Sequence, residues 1–182
     1  MTLPRLAAAV LSLTLLVAAC ADDGDSGVIN LGDGLEPSLA DIQTEASGEN
    51  VVGLSYATFD GDTTSFDDRL GTPMVINFFA EWCAPCVQEM PEFQRVSQEL
   101  VGVVDFVGIS IDRGADDALA LVEATGVTYD VGWDPSEELY AHFEGLSMPT
   151  TVFVDSTGTI TQVWSGVLDA DSLREKIEEE IL

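Results

Sequence analysis

Lysine occurs once in these 182 residues, at Lys176, and histidine once, at His142. Six bases in all face 33 acids, for a formal charge of −27. A field of that sign repels phosphate backbones and anionic lipid headgroups, which excludes nucleic acid and a charge-bound membrane surface as partners. Two uses remain for so acidic a surface: solubility, including in high salt, or recognition of a basic partner. Cysteine is scarce too, with three residues, Cys20, Cys83 and Cys86. The uncharged stretch near the start, Leu6 to Ala19, has fourteen residues, whereas a helix needs roughly 20 to cross a bilayer.

What that stretch does offer is an export signal. Arg5, a short apolar run and a small-residue end form the pattern that export machinery reads and removes. "LVAAC" resembles the lipobox of bacterial lipoproteins, with Val17, Ala18 and Ala19 leading to Cys20. That resemblance implies that Cys20 carries a diacylglyceryl group and begins the mature chain, on the extracytoplasmic face of the cell membrane. Residues 21–50 hold eight acids and no base, the composition of a self-repelling, flexible linker. Thirty flexible residues reach about 30 Å end to end.

The folded part is expected from Val51 onward. A hydrophobic content of 46% supports a packed core. "LSYATF" and "TTSF" around Asp60-Gly61 predict a hairpin, and "DDRLGTP" a single helical turn. "MVINFF", residues 74–79, reads as a strand buried on both faces. A helix follows over 84–100, burying Met90, Phe93, Ser97 and Leu100 and bent by Pro91. "GVVDFVGISI" is a second buried strand. "ADDALALVEATG" is a helix closed by Gly126, and "DPSEELYAHFEG" another, opened by Asp134 and Pro135. "TTVFV" and "TITQVWS" form a hairpin across "DSTG", and a last helix starts behind Asp169. The order gives an α/β fold with a mixed sheet and helices on both faces.

With Cys20 assigned to lipid, Cys83 and Cys86 are left as an isolated CxxC pair in an oxidising compartment. Haem attachment needs histidine after the second cysteine, and Val87 stands there. A structural zinc site needs two more ligands, but no second CxxC exists and His142 is alone. A staple across three residues would constrain the unfolded chain little. A redox pair fits best. Cys83 falls where a buried strand passes into a helix, so unpaired N–H groups and the positive end of the helix dipole favour its thiolate. Cys83 is thus expected to be the exposed nucleophile and Cys86 the buried thiol that resolves the mixed disulfide.

"NFFAEWCAPCVQEMPEF" and "PTTVFVDSTGTI" together resemble the thioredoxin superfamily, in its extracytoplasmic TlpA/ResA-like branch. The resemblance spans residues 51–182. It implies a thioredoxin-like fold with an added N-terminal hairpin and a mid-chain βα insertion. It also implies a cis Met148–Pro149 bond facing the cysteines, with the Met148 backbone pairing to an extended substrate segment. A functional glutamate carries over to Glu89, which lies on the thiol side of the helix, where burial would raise its pKa and let it exchange a proton with Cys86. Asn77 departs from cytoplasmic thioredoxins, which have an aspartate there, and leaves Glu89 as the proton carrier. Trp82 is expected to shield Cys83, with Trp133 and Trp164 as packing residues and His142 as a structural or solvated one.

The implied activity is thiol–disulfide exchange with extracytoplasmic proteins, without a cofactor. The branch implies a reductant, supplied by an electron-donating membrane protein and serving haem-receiving cysteines in cytochrome c maturation. Secreted relatives of the same fold that install disulfides keep an oxidase role open. A copper-binding or copper-delivery protein on the same scaffold is the alternative of another class, since soft thiolates suit Cu(I).

Overall fold

The computed structural model describes residues 48–182. The stretch read as an export signal, Cys20 and the expected linker as far as residue 47 lie outside the described residues. Seven strands form one sheet in the order β2-β1-β5-β4-β3-β6-β7. β1 (Ser55–Ala57) and β2 (Thr63–Ser65) make the predicted hairpin, followed by a 3₁₀ turn at Phe66–Arg69. β3 (Met74–Phe79) leads into α1 (Ala84–Glu99), then β4 (Asp105–Ser110), α2 (Ala115–Thr125) and β5 (Asp130–Trp133). After the short α3 (Glu138–His142), β6 (Thr150–Val154), β7 (Ile160–Ser165) and α4 (Ala170–Glu180) complete the chain.

Every residue of β3 is buried, as its unbroken apolar run requires at the centre of a sheet covered on both faces. β3 pairs in parallel with β4 and antiparallel with β6, so the sheet is mixed. The two faces have separate cores. Between the sheet and the helices α1 and α4 lie Val75 and Phe153 of the strands, Phe93 and Val96 of α1, and Leu173 and Ile177 of α4. On the opposite face Phe78 meets Tyr140 and Phe143 edge-on and tilted, with ring centroids 5.3 and 5.7 Å apart, and Phe143 reaches Phe66 of the 3₁₀ turn. α1 runs through Pro91 as one helix, burying Met90, Phe93 and Ser97 as its periodicity predicts, whereas Leu100, expected on the same face, caps the helix end and is half-buried.

Three local results differ from expectation. The helix predicted from Asp134 begins only at Glu138. Asp134 spends its carboxylate on the Tyr140 N–H at 2.9 Å and its carbonyl on Glu137 N, and Glu137 turns through the left-handed region at φ 60°. β5 is a strand over residues that carry no strand signal of their own. It supplies the mid-chain insertion and lies between β4 and the hairpin, at a cost in side-chain bulk: a Cβ on Gly132 would stand 2.2 Å from Cδ2 of Tyr56. The folded region also starts before Val51, because Gly48 N donates to Ile160 O at 2.7 Å and Ile160 N to Glu49 O at 2.8 Å. Main-chain pairing of this kind leaves no mark in side-chain composition.

Candidate active site

Cys83 ends the loop from β3 and caps α1. Its Sγ accepts the N–H of Cys86 at 3.2 Å, and the two sulfurs are joined in a disulfide. The first turn of α1 carries no acidic residue, so nothing on the helix opposes the positive end of its dipole. When the disulfide is reduced, the N–H now aimed at the Cys83 sulfur stabilises a thiolate there.

The loop ahead of Cys83 is held from the next strand. Asp112, just past β4, is 4% exposed. It accepts the Glu81 N–H at 3.1 and 3.0 Å with its two oxygens and the Ser110 hydroxyl at 3.0 Å. Nothing in the sequence distinguished Asp112 from the other acids. Its position at the end of a strand parallel to β3, beside the point where the catalytic loop departs, is visible only in the fold.

Cys83 opens into a largely apolar groove of about 520 Å³ whose walls include Trp82, Pro85, Ile111, Tyr140 and Met148. Trp82 stands 64% exposed at its rim. The Met148–Pro149 bond is cis, Met148 lines the groove beside Cys83, and Pro149 is buried behind it. Thus the two segments carrying the family resemblance meet in space. One expectation is corrected. Cys83 is not an exposed residue: it is 4% exposed against 0% for Cys86. The order of access is as predicted, but Cys83 shares its groove with Ile111, Tyr140 and Met148, all distant in sequence.

Glu89 lies one turn beyond Cys86 and is 1% exposed. Burial raises its pKa to about 7, although the Asn77 amide and the Leu168 N–H both favour the carboxylate. Asn77 Nδ2 donates to Oε1 at 2.8 Å and Leu168 N to Oε2 at 3.2 Å. The expectation of a raised pKa is met, and Asn77 acquires a role that the sequence did not indicate, as Glu89's anchor. Trp133 donates its indole N–H to the Asp112 carbonyl at 2.6 Å, and the Trp164 ring lies under Lys176. His142 faces a separate cleft beside the hairpin, with Nε2 3.8 Å from Glu49, and the structure does not bring it to the cysteines.

The AhpC/TSA family matches residues 47–163. The thioredoxin-like protein YneN of Bacillus subtilis is 27% identical over 134 residues, covering 72% of this chain and 78% of that protein. The thiol-disulfide oxidoreductase ResA of Oceanobacillus iheyensis is 28% identical over 150 residues, covering 82% and 72%. Among solved structures, a DsbF homologue from Corynebacterium diphtheriae superimposes with a TM-score of 0.66 at 26% identity, over 76% of this chain and 91% of that one. With a CxxC disulfide capping α1 beside a cis proline on a thioredoxin-like sheet, the chain belongs to the AhpC/TSA family, among its thioredoxin-like thiol–disulfide oxidoreductases.

Proposed function

We propose that this oxidoreductase works as a reductant of protein disulfides outside the cytoplasm, tethered to the cell membrane through a lipid on Cys20. The observation that carries the reading is the Cys83–Cys86 pair with a buried, near-neutral glutamate one turn below it. A resolving thiol with no solvent contact needs a local base, and a carboxyl with a pKa of about 7 takes and releases a proton in the physiological range.

The reduced enzyme attacks with the Cys83 thiolate. A bond forms between Cys83 and one substrate sulfur, and the other substrate sulfur leaves as thiolate and is protonated by solvent. Glu89 removes the proton from Cys86. The Cys86 thiolate attacks Cys83, the internal disulfide closes, and the second substrate thiolate departs. Two electrons have passed from the cysteine pair to the substrate. The substrate segment lies extended in the groove, against Trp82 and paired with the Met148 backbone next to Pro149. A membrane protein returns the electrons, and haem-receiving cysteines of cytochrome c are the substrate class that the ResA-like resemblance favours.

The reduction potential tests the direction. A reductant is expected near about −270 mV, whereas a value near about −120 mV would make the protein a disulfide-forming oxidase. Tethering is tested by fractionation: Cys20→Ser should move the protein from the membrane fraction to the medium, and retention of the variant would sink the lipid anchor.

A further inference from the structure

Among the described residues, six buried side-chain N or O atoms have no hydrogen-bond partner. Such atoms are ordinarily satisfied by protein or by ordered water, and their grouping in one place is informative. Asn77 Oδ1, Thr151 Oγ1 and Trp164 Nε1 are three of them. In the sheet register Asn77 of β3 pairs with Thr151 of β6, and Thr151 with Trp164 of β7, so the three side chains form one row on one face. Gln162 Oε1, also unpartnered, lies two residues along β7 on that face. The Tyr129 hydroxyl is unpartnered too, and its ring edge would lie 3.1 Å from a Cβ on Gly108, the β4 neighbour of Asn77.

This is the face covered by α1 and α4, and Glu89 is bonded to the middle of it through Asn77. The row ends at a cleft of about 310 Å³ between β7 and α4, bounded by Trp164, Leu168, Lys176 and the acids Glu175 and Glu179. Leu168 is also the residue whose N–H binds Glu89. Lys176, the only lysine of the chain, places its Nζ 4.3 Å from the centre of the Trp164 ring. None of these residues lines the groove that holds Cys83.

We propose that the Asn77–Thr151–Trp164 row holds ordered water and is the path by which Glu89 exchanges its proton with solvent, opening at the Trp164–Lys176 cleft. The inference rests on the proton-carrying role given to Glu89 above. While a substrate is bound through Cys83 it occupies the groove, and Cys86 has no exposed surface. A proton taken from Cys86 at that moment needs a second exit. The balance is simple: Cys86 loses a proton to the Glu89 carboxylate, the new Glu89 carboxyl passes one to the neighbouring water, and the chain delivers one to bulk solvent. The groups facing Glu89 are Cys86 on its own helix, Asn77 from β3, the Leu168 N–H ahead of α4, and the Tyr129 phenol. That phenol is held neutral by burial and by the Glu89 charge.

Thr151→Val removes one hydroxyl without changing side-chain shape. Infrared spectroscopy in H₂O and D₂O reports the Glu89 carboxyl band, identified by its loss in Glu89→Gln. Hydrogen–deuterium exchange at that band is expected to slow about tenfold or more in Thr151→Val and to recover in Thr151→Ser. The solvent isotope effect on mixed-disulfide resolution should rise in parallel. Should Thr151→Val fail to fold, Trp164→Phe keeps a ring under Lys176 while removing the indole N–H, and the same slowing is expected. A band that titrates but exchanges at the wild-type rate in the folded variant overturns the path alone. A band that does not titrate at all removes the Glu89 role and the path with it.

Discussion

Asn77 and Glu89 meet in the interior of the protein, the amide Nδ2 of one 2.8 Å from the carboxylate Oε1 of the other. The amide cannot carry a proton itself, yet it binds the carboxyl proposed to do so, and Glu89 stays protonated to about pH 7 because burial outweighs this contact. In the unfolded chain the same carboxyl loses its proton near its ordinary value of 4.5. Between these two values the native state binds the extra proton, so stability falls as pH rises. The oxidised protein is expected to lose about 3 kcal/mol across that window, at roughly 1.4 kcal/mol per pKa unit. Urea unfolding at a series of pH values checks it, and in Glu89→Gln the slope assigned to this group should vanish.

Cys83 should ionise more readily than a free thiol. The N–H that it accepts from Cys86 and the helix end behind it both favour negative charge on sulfur. Alkylation of the reduced protein as a function of pH is expected to give a midpoint below about 8.5 for Cys83, with Cys86 reacting more slowly. A midpoint at the free-thiol value would contradict the assigned nucleophile.

Cys86→Ser removes the sulfur proposed to release the substrate and leaves Cys83, the proposed nucleophile, in place. The variant is expected to accumulate a mixed disulfide through Cys83, visible on non-reducing gels and by mass spectrometry with a model disulfide peptide. Cys83→Ser should accumulate little, because the remaining sulfur has no surface exposure.

Asp112→Ala leaves the Glu81 N–H and the Ser110 hydroxyl without their acceptor. Lost acceptors in buried surroundings cost about 1–3 kcal/mol, and the loop carrying Cys83 loses its tie to β4. A lower melting temperature, together with a changed reduction potential, is the expected result. A drop in stability with an unaltered potential would limit Asp112 to a packing role.

Gly132→Ala tests the seam between β5 and the hairpin. The added methyl would lie 2.2 Å from the Tyr56 ring and 3.0 Å from Ile109. Both neighbours are buried, so the crowding has no easy relief, and overpacking of this kind costs about 1–3 kcal/mol. Thermal unfolding should show it, while the alkylation profile of Cys83 stays close to wild type.

Much of this architecture was legible in the sequence, for physical reasons that differ from element to element. β3 announced itself because a central strand is apolar on both faces, and α1 because its buried stripe recurs at helical spacing. Asp169 marked the start of α4, and its carboxylate does accept the Ser172 N–H at 2.9 Å. β5 gave no such signal. It is four residues long, contains a glycine, and becomes a strand through its neighbours β4 and β1 rather than through its own propensity. The same limit applies at the site. The cysteines and Glu89 stand out through spacing on one helix. Asp112, the groove wall and the row from Asn77 to Trp164 are assembled from separate strands and loops, and only strand pairing brings them together.

The contact of residues 48–50 with β7 has a consequence for handling the protein. β7 is the last strand of the sheet, and its outer rim is a line of main-chain donors and acceptors that invites another chain to add itself. Gly48, Glu49 and Asn50 occupy the start of that rim, opposite Thr159 and Ile160. Trimming the chain to Val51 would uncover a sticky border and favour self-association, so soluble versions of this domain should begin upstream of Gly48.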